Sequence, residues 1–459
     1  MRFRKWAPLI SAVFVMSCFT ACGSNGQTAS ATKIALSANG ISVEGAAIST
    51  DPDDAVYLSH DTVENSKEGE GGRSPSPSVS VIHITSPGTY RIFGTMEEGQ
   101  IRVDLGEKAA KDKKAVVSLI LDNAHIRCSS APAIVFESVY ESAGEKTAGD
   151  SADTSAGANI ILAGDSINTV QGSHGASLSE QGAVSSRMSL NIGSEGERCG
   201  TLSLTADKEG ICVEDRLTVN GGSLRICAEN NGILLNNGDS AAVFNGGDVH
   251  IAAGLGGEGS GIDSRGRLVI NDGTVVTAVC ADAGPSLRGG RGISINGGTV
   301  AAFGDPPEGI ETASGQASMA LCFDGNKELR EPIVVTDAGK NAVFAYDPGV
   351  DELLGENPRS YGGAVISCAA LAEEGSYHLY LGGTLEGVES DGVYDLSADI
   401  VYIGGTEQAF LDAEEQSEDD GVLSPSGERI SSSETALPSR LVDFYLGSKV
   451  NYFFGIADR

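Results

Sequence analysis

The chain has 459 residues, with 31 Lys or Arg against 63 Asp or Glu, and the formal net charge of −32 argues against nucleic acid as a partner. Glycine is high at 61 residues while Pro is only 14 and hydrophobic residues reach 40%, a composition that excludes a disordered chain and reads as turn-rich β structure. The single Trp, Trp6, lies near the N-terminus, so Tyr and Phe supply the large rings of everything that follows.

Residues 1–21 open with Arg2, Arg4 and Lys5, continue with an apolar run from Trp6 to Met16, and end in Phe19-Thr20-Ala21 before Cys22. This is the pattern of a secretory signal. Small residues before Cys22 and Gly23-Ser24 after it resemble a bacterial lipobox, which makes Cys22 the expected lipidation site and the outer face of the cell membrane the expected location. An ordinary cleaved signal and free secretion is the alternative. The apolar run is shorter than the roughly 18–20 residues of a membrane span.

Residues 22–78 are expected to hold a strand segment, where 33–44 alternates, followed by a flexible linker with Glu64, Glu68, Glu70 and a Ser-Pro-Ser-Pro-Ser run. Strand patterns resume at 80–105, 115–128 and 158–170, interrupted by a lysine-rich turn from Lys108 to Lys114 and a Ser/Ala/Gly/Glu insertion over 141–157.

From Gly200 to Phe303 two short phrases recur. One carries Asn220, Asn245, Asn271 and Asn296, at intervals of 25, 26 and 25 residues; the other carries Gly210, Gly232, Gly261, Gly284 and Gly309. Each repeat holds strands too short to stand alone, so burial must come from stacking one repeat on the next. The pattern predicts an all-β fold, a right-handed parallel β-helix (solenoid) of about 25 residues per rung. Its inward set is Leu202, Leu204, Leu217, Val219, Leu224, Ile226, Val249, Ile251, Leu268, Ile270, Val275, Ile293, Ile295 and Val300. The Asn residues are expected to form a ladder, and the second recurring Gly to supply a left-handed turn residue once per rung. The competing architecture is an antiparallel sandwich with each Asn-Gly at a hairpin tip. The helix domain is drawn at 79–390, with an acidic extension, solvated or forming an added strand pair, at 391–459. Cys128, Cys199, Cys212, Cys227, Cys280, Cys322 and Cys368 show no zinc spacing and read as buried free thiols.

The segments SPGTYRIFGTMEEGQIRVDL at 86–105, LILDNAHIRCSSAPAIVF at 119–136 and NIILAGDSINTVQGS at 159–173 carry a family resemblance. The EGI/NGG repeats at 209–303, VVTDAGKNAVFAYDP at 334–348 and EEGSYHLYLGGTLEG at 373–387 extend it. Together they resemble the carbohydrate-binding domain-containing proteins of Gram-positive, largely clostridial, cell surfaces. The resemblance implies a β-helix similar to polysaccharide and pectate lyases, binding acidic plant cell-wall polysaccharide such as polygalacturonate, with calcium and without catalysis. The family's Asp-Asp-Gly-Ile turn is here Lys208-Glu209-Gly210, Asn230-Asn231-Gly232 and Gly259-Ser260-Gly261, with fewer carboxylates.

Stacking at about 4.8 Å per rung would align Asp207, Glu229, Asp282 and Asp305 in one column, interrupted at Gly254, and Glu209, Asn231, Ser260, Ala283 and Glu308 in another. Like charges that close repel, and a hard cation with six to eight oxygen ligands relieves them. Asp207, Glu209, Glu229 and Asp263 are the candidate calcium ligands; solvated turn acids are the alternative. Two other functions stay open. One is a polysaccharide lyase with calcium and an Arg or Lys base, for which Arg216, Arg225, Arg265 and Arg288 lie in the repeats. The other is an envelope adhesin or scaffold with a protein partner. The six His read as surface or packing residues, and Tyr361, Tyr377 and Tyr380 as packing residues or sugar-stacking rings.

Overall fold

The computed structural model describes residues 30–62, 78–141, 156–174, 181–196, 198–354, 359–411 and 440–459. The leader, Cys22 and most of the linker lie outside them. The described residues form an all-β structure with one short 3-10 turn, Ala109–Lys111. None of its helices is long and apolar enough to cross a membrane.

Three parallel sheets make up the N-terminal two thirds, and each repeat contributes one strand to each. In the first repeat of the series these are Thr201–Ala206 (face one), Glu209–Val213 (face two) and Arg216–Val219 (face three). On face one Thr201 pairs with Ser223, Ser223 with Asp248, Asp248 with Thr274 and Thr274 with Thr299, steps of 22, 25, 26 and 25 residues. Large parallel sheets built this way are consistent with a β-helix or solenoid. Strands flanking each Asn-Gly belong to different faces, so these dipeptides are corners between faces and not hairpin tips.

All fourteen residues of the expected inward set are at most 1% exposed and share one core. Alternation explains this on face one, where Leu202 and Leu204 point inward beside half-buried Thr201 and Ser203. At the corner after face three, Asn245 Nδ2 donates to Asn220 Oδ1 at 3.0 Å, Asn271 to Asn245 at 2.9 Å and Asn296 to Asn271 at 2.8 Å. The expected ladder is present.

The recurring glycines meet the expectation only in part. The left-handed residue of each Asn corner is the Gly two residues after the Asn: Gly222, Gly247, Gly273 and Gly298 have φ of 80–91°. Of the expected set, Gly309 is left-handed with φ 75° and Gly284 has φ 155°, whereas Gly210, Gly232 and Gly261 are not left-handed. They make room: a Cβ on Gly232 would lie 2.2 Å from Ile251 Cγ2 and 2.7 Å from the Gly261 carbonyl of the next coil.

The ends also depart from the sequence reading. Thr32–Leu36 pairs in parallel with Gly88–Met96, so the N-terminal segment is the first layer of the stack. Parallel stacking stops at Thr299–Gly304, well short of 390. There Ser360–Ser367 pairs antiparallel with it, and Ser318–Glu328, Ile333–Asp337, Ser376–Leu381, Thr406–Leu411 and Val450–Asp458 build a mainly antiparallel unit with its own core. Thr406–Leu411, Arg440–Leu441, Phe444–Tyr445 and Val450–Asp458 are strands of that unit and Val401–Ile403 pairs with Thr384–Glu386, whereas Glu414 to Asp420 fall outside the described residues. The change follows from the pattern: Asn-Gly corners cease after Asn296, and hydrophobic runs lengthen, as in Ser318–Cys322.

All seven described cysteines are free thiols. Cys128, Cys212, Cys322 and Cys368 are buried as expected, but Cys227 and Cys280 are half-buried and Cys199 is exposed, because they sit at outward positions or corners.

Candidate functional site

Face two carries an open groove of about 530 Å³ crossing successive coils. The strands beneath it are Gly182–Ser186, Glu209–Val213, Ile233–Leu235 and Ile262–Ser264, whose inward residues Val184, Ile211, Ile233 and Ile262 are stacked in register. The same register sets their outward neighbours in a row, Ser185, Cys212, Leu234 and Asp263, with Arg288 one coil further. Gln181, Lys208, Glu209, Asn231, Asp263 and Arg265 supply most of the polar lining.

The polar groups are tied to one another. Lys208 Nζ donates to Gln181 Oε1 at 2.8 Å. Asn231 donates from its backbone N and its Nδ2 to Glu209 Oε2 at 2.8 and 2.9 Å, and its Oδ1 accepts from the Ser260 amide at 2.8 Å. Burial pushes the Glu209 carboxyl up from the usual range, against the Asn231 hydrogen bonds that pull it down. Burial likewise raises Asp263, although Arg288 stands 3.9 Å away. The Cys212 thiol in the floor is pushed up to about 12 by burial and then by Glu209, which makes it a poor nucleophile.

Of the four candidate calcium ligands, the structure brings Glu209 and Asp263 to this groove. Asp207 lies at the preceding corner, where its carboxylate accepts from Ser173 Oγ at 2.6 Å and the His174 amide at 3.0 Å. Glu229 is exposed at the next corner and does not line the groove. Hydrogen bonds link Glu209, Asn231 and Ser260 in a column, but the register sets Pro285 and not Ala283 after Ser260, and with an amide and a hydroxyl following Glu209 the column stacks no like charges for a cation to relieve. With Glu214, which also lines the groove, Glu209 and Asp263 make three carboxylates, and calcium's six to eight oxygens would call for further ligands.

Sequence reasoning missed a second polar centre, between face one and the C-terminal unit. His250, fully buried, bonds Asp351 Oδ2 through Nδ1 at 2.6 Å and Asp248 Oδ1 through Nε2 at 3.2 Å. Arg225 donates to Asp248 Oδ2 at 2.6 Å and also to Asp391. Burial lowers the affinity of His250 for a proton, but its two carboxylate partners outweigh this and raise it above the ordinary histidine value. Asp248, His250 and Asp391 bring donor atoms within 4.8 Å of one another. The Arg225 guanidinium already bonds both of those carboxylates, and both His250 nitrogens are engaged, so the group is a junction of ion pairs. No local pattern marks it: the contacts span 101 and 166 residues.

The aromatic candidates also rearrange. Tyr361 and Tyr377 are core residues, Tyr380 is half-buried, and the exposed rings among the described residues are Phe93, Tyr445, Tyr452 and Phe454.

Comparison with known proteins gives two likenesses. The family model for "carbohydrate-binding domain-containing protein" matches residues 78–318. A solved structure, described as the polysaccharide lyase-like protein from C. thermocellum in a gadolinium derivative, is 20% identical, with 59% of this chain and 94% of that one covered and a TM-score of 0.38. Likeness at that level does not extend to activity. No curated protein matches the chain.

Proposed function

The chain belongs to the carbohydrate-binding domain-containing protein family, and on that premise we propose that it binds polysaccharide lengthwise in the groove on face two. The observation carrying this reading is the row of amide, carboxylate and cationic side chains that coil-to-coil register assembles along one open groove. Sugar hydroxyls both donate and accept, and such a mixed lining meets them with both kinds of partner.

The finer reading is an acidic, polygalacturonate-like chain of plant cell walls. Arg187, Lys208 and Arg265 line the groove, and Arg288 follows one coil on. At physiological salt a ligand feels charges within about 8 Å more than the whole molecule's excess of acid, and in the groove these cations stand against the carboxylates Glu209, Glu214 and Asp263, a local balance in place of the net charge of −32. Calcium enters this proposal as a bridge: Glu209 and Asp263 would hold it, with the remaining oxygens coming from uronate carboxylates and water. Binding is proposed to be non-catalytic. Arg225, one of the possible lyase bases, is held between two carboxylates. Lipidation at Cys22 would keep this surface on the outer face of the bacterial membrane.

Retention of the full chain on immobilised polygalacturonate, with and without EDTA, tests the reading. Lys208→Ala and Arg265→Ala are each expected to weaken retention severalfold and to reduce its salt dependence. Release by EDTA supports the calcium bridge, and indifference to EDTA assigns binding to side chains alone. Absence of retention on any polysaccharide would overturn the proposal, and a rising unsaturated-uronide absorbance would overturn its non-catalytic part.

A further inference from the structure

The C-terminal strand Val450–Asp458 lies beyond the family-matched residues and exposes two rings. Tyr452 and Phe454 are 39% and 45% exposed, while Phe453 between them is buried against Phe410 and Phe444, each with ring centroids 4.9 Å away. The Tyr452 and Phe454 rings lie 6.3 Å apart and within 14° of parallel. The Tyr452 hydroxyl faces the Ile310 backbone. Tyr445, 52% exposed, lines the same shallow groove of about 410 Å³.

Leaving several large rings in water is unfavourable, and a contiguous apolar patch marks a contact surface. Its shape and charge choose the occupant. Two exposed, nearly parallel rings offer aromatic surface against which the C–H face of a sugar can stack, and Asn451 and Asp443 line the same groove with groups for its hydroxyls. Among the described residues no cation lines the groove, while the carboxylate Asp443 does and Glu308 acts on Tyr452 from nearby. A uronate is therefore disfavoured. The platform also continues the stack: Tyr452 meets the turn at Glu308–Ile310, which lines a small cavity with Leu287 of the last face-two strand.

We propose that Tyr452 and Phe454, flanked by Tyr445, form a second glycan-contact surface that takes a neutral polysaccharide by ring stacking. The inference depends on the chain being a polysaccharide binder and adds a site and a ligand class distinct from the face-two groove.

Affinity electrophoresis of the full chain in gels containing xylan, mannan or polygalacturonate tests it. Tyr452→Ala and Phe454→Ala are each expected to weaken binding to a neutral glycan about fivefold and to leave polygalacturonate retention unchanged, whereas Lys208→Ala does the reverse. Tyr452→Phe and Phe454→Tyr should retain neutral binding. Wild-type retardation by polygalacturonate alone overturns this inference and leaves the groove reading standing, as does neutral binding that both alanine variants keep. Failure to bind any of the three overturns both. Should an alanine variant not fold, Phe454→Trp replaces it: its fluorescence is expected to change on adding xylohexaose, relative to wild type with Trp6 alone, and an unchanged emission overturns the platform.

Discussion

Glu209 illustrates how one residue's environment decides its role. Its carboxyl is 2% exposed, and burial raises its pKa above the usual value against the Asn231 hydrogen bonds that lower it. A carboxyl raised in the folded state contributes stability below its unfolded value, near 4.5, and that contribution is lost as pH rises through the raised value. Glu209→Gln keeps an oxygen for Asn231 and removes the buried charge. Its unfolding midpoint is expected about 2 °C above wild type at pH 7, with the difference vanishing near pH 4 in thermal melts. A lower midpoint at pH 7 would instead mean that the groove stabilises the charge, a bound cation included. The glycines allow a similarly local test. Gly232→Ala drives a Cβ into Ile251 and the Gly261 carbonyl, whereas Gly238 has nothing within 4 Å. The first substitution is expected to cost about 1–3 kcal/mol and the second well under 1, read from denaturant midpoints. The sequence shows that a glycine recurs at these places. Whether it recurs for φ or for space depends on what the next coil places there, which no single repeat reveals.

Single strands here are defined by their neighbours. Each coil's three strands find partners only above and below, so the unit that can be removed is a whole coil. Ser223 and Asp248 are register partners. Deleting 223–247 joins Gly222 to Asp248 and restores the corner, and the shortened chain is expected to fold with an unchanged β signature in circular dichroism. Deleting 223–242 shifts inward side chains out of line, and aggregation or loss of cooperative unfolding is expected. The strands, the inward residues and the Asn ladder were readable in advance because all three obey the same period. Two things were not. The stack's end was misplaced at 390 because Val334, Val335 and Phe344 alternate or cluster as apolar residues do in either kind of sheet, and direction leaves no mark on such a pattern. The calcium set was half dispersed because a shared column position fixes where a backbone lies and not where its side chain bonds, as Asp207 with Ser173 shows.

For the molecule as a whole, the chain from Asp351 through His250, Asp248 and Arg225 to Asp391 joins the parallel stack to the antiparallel unit. Its members face one another across that junction, with the Tyr346 hydroxyl donating to Asp351 at 3.1 Å. His250 is raised above its ordinary 6.5, so its contribution is present below that value and lost as pH rises through the raised one. Asp248 and Asp351 are burdened by burial, yet their bonds to His250 hold them below 3.8, so their contributions disappear as pH falls through the lowered values. Stability should form a plateau that declines on both sides, and His250→Asn should flatten the alkaline decline; thermal midpoints over pH 3–10 check this. Sequence could not supply the junction, because its parts are brought together only after the stack is wound. The regular winding has one more effect. A coil advances about 4.8 Å, close to the length of one sugar ring in an extended chain, so a polymer bound along face two as proposed would set about one sugar against each coil. The outward groups change from Ser185 to Cys212, Leu234 and Asp263 along the row, so sliding by one unit would bring each sugar to a different partner and would favour one placement over its neighbours.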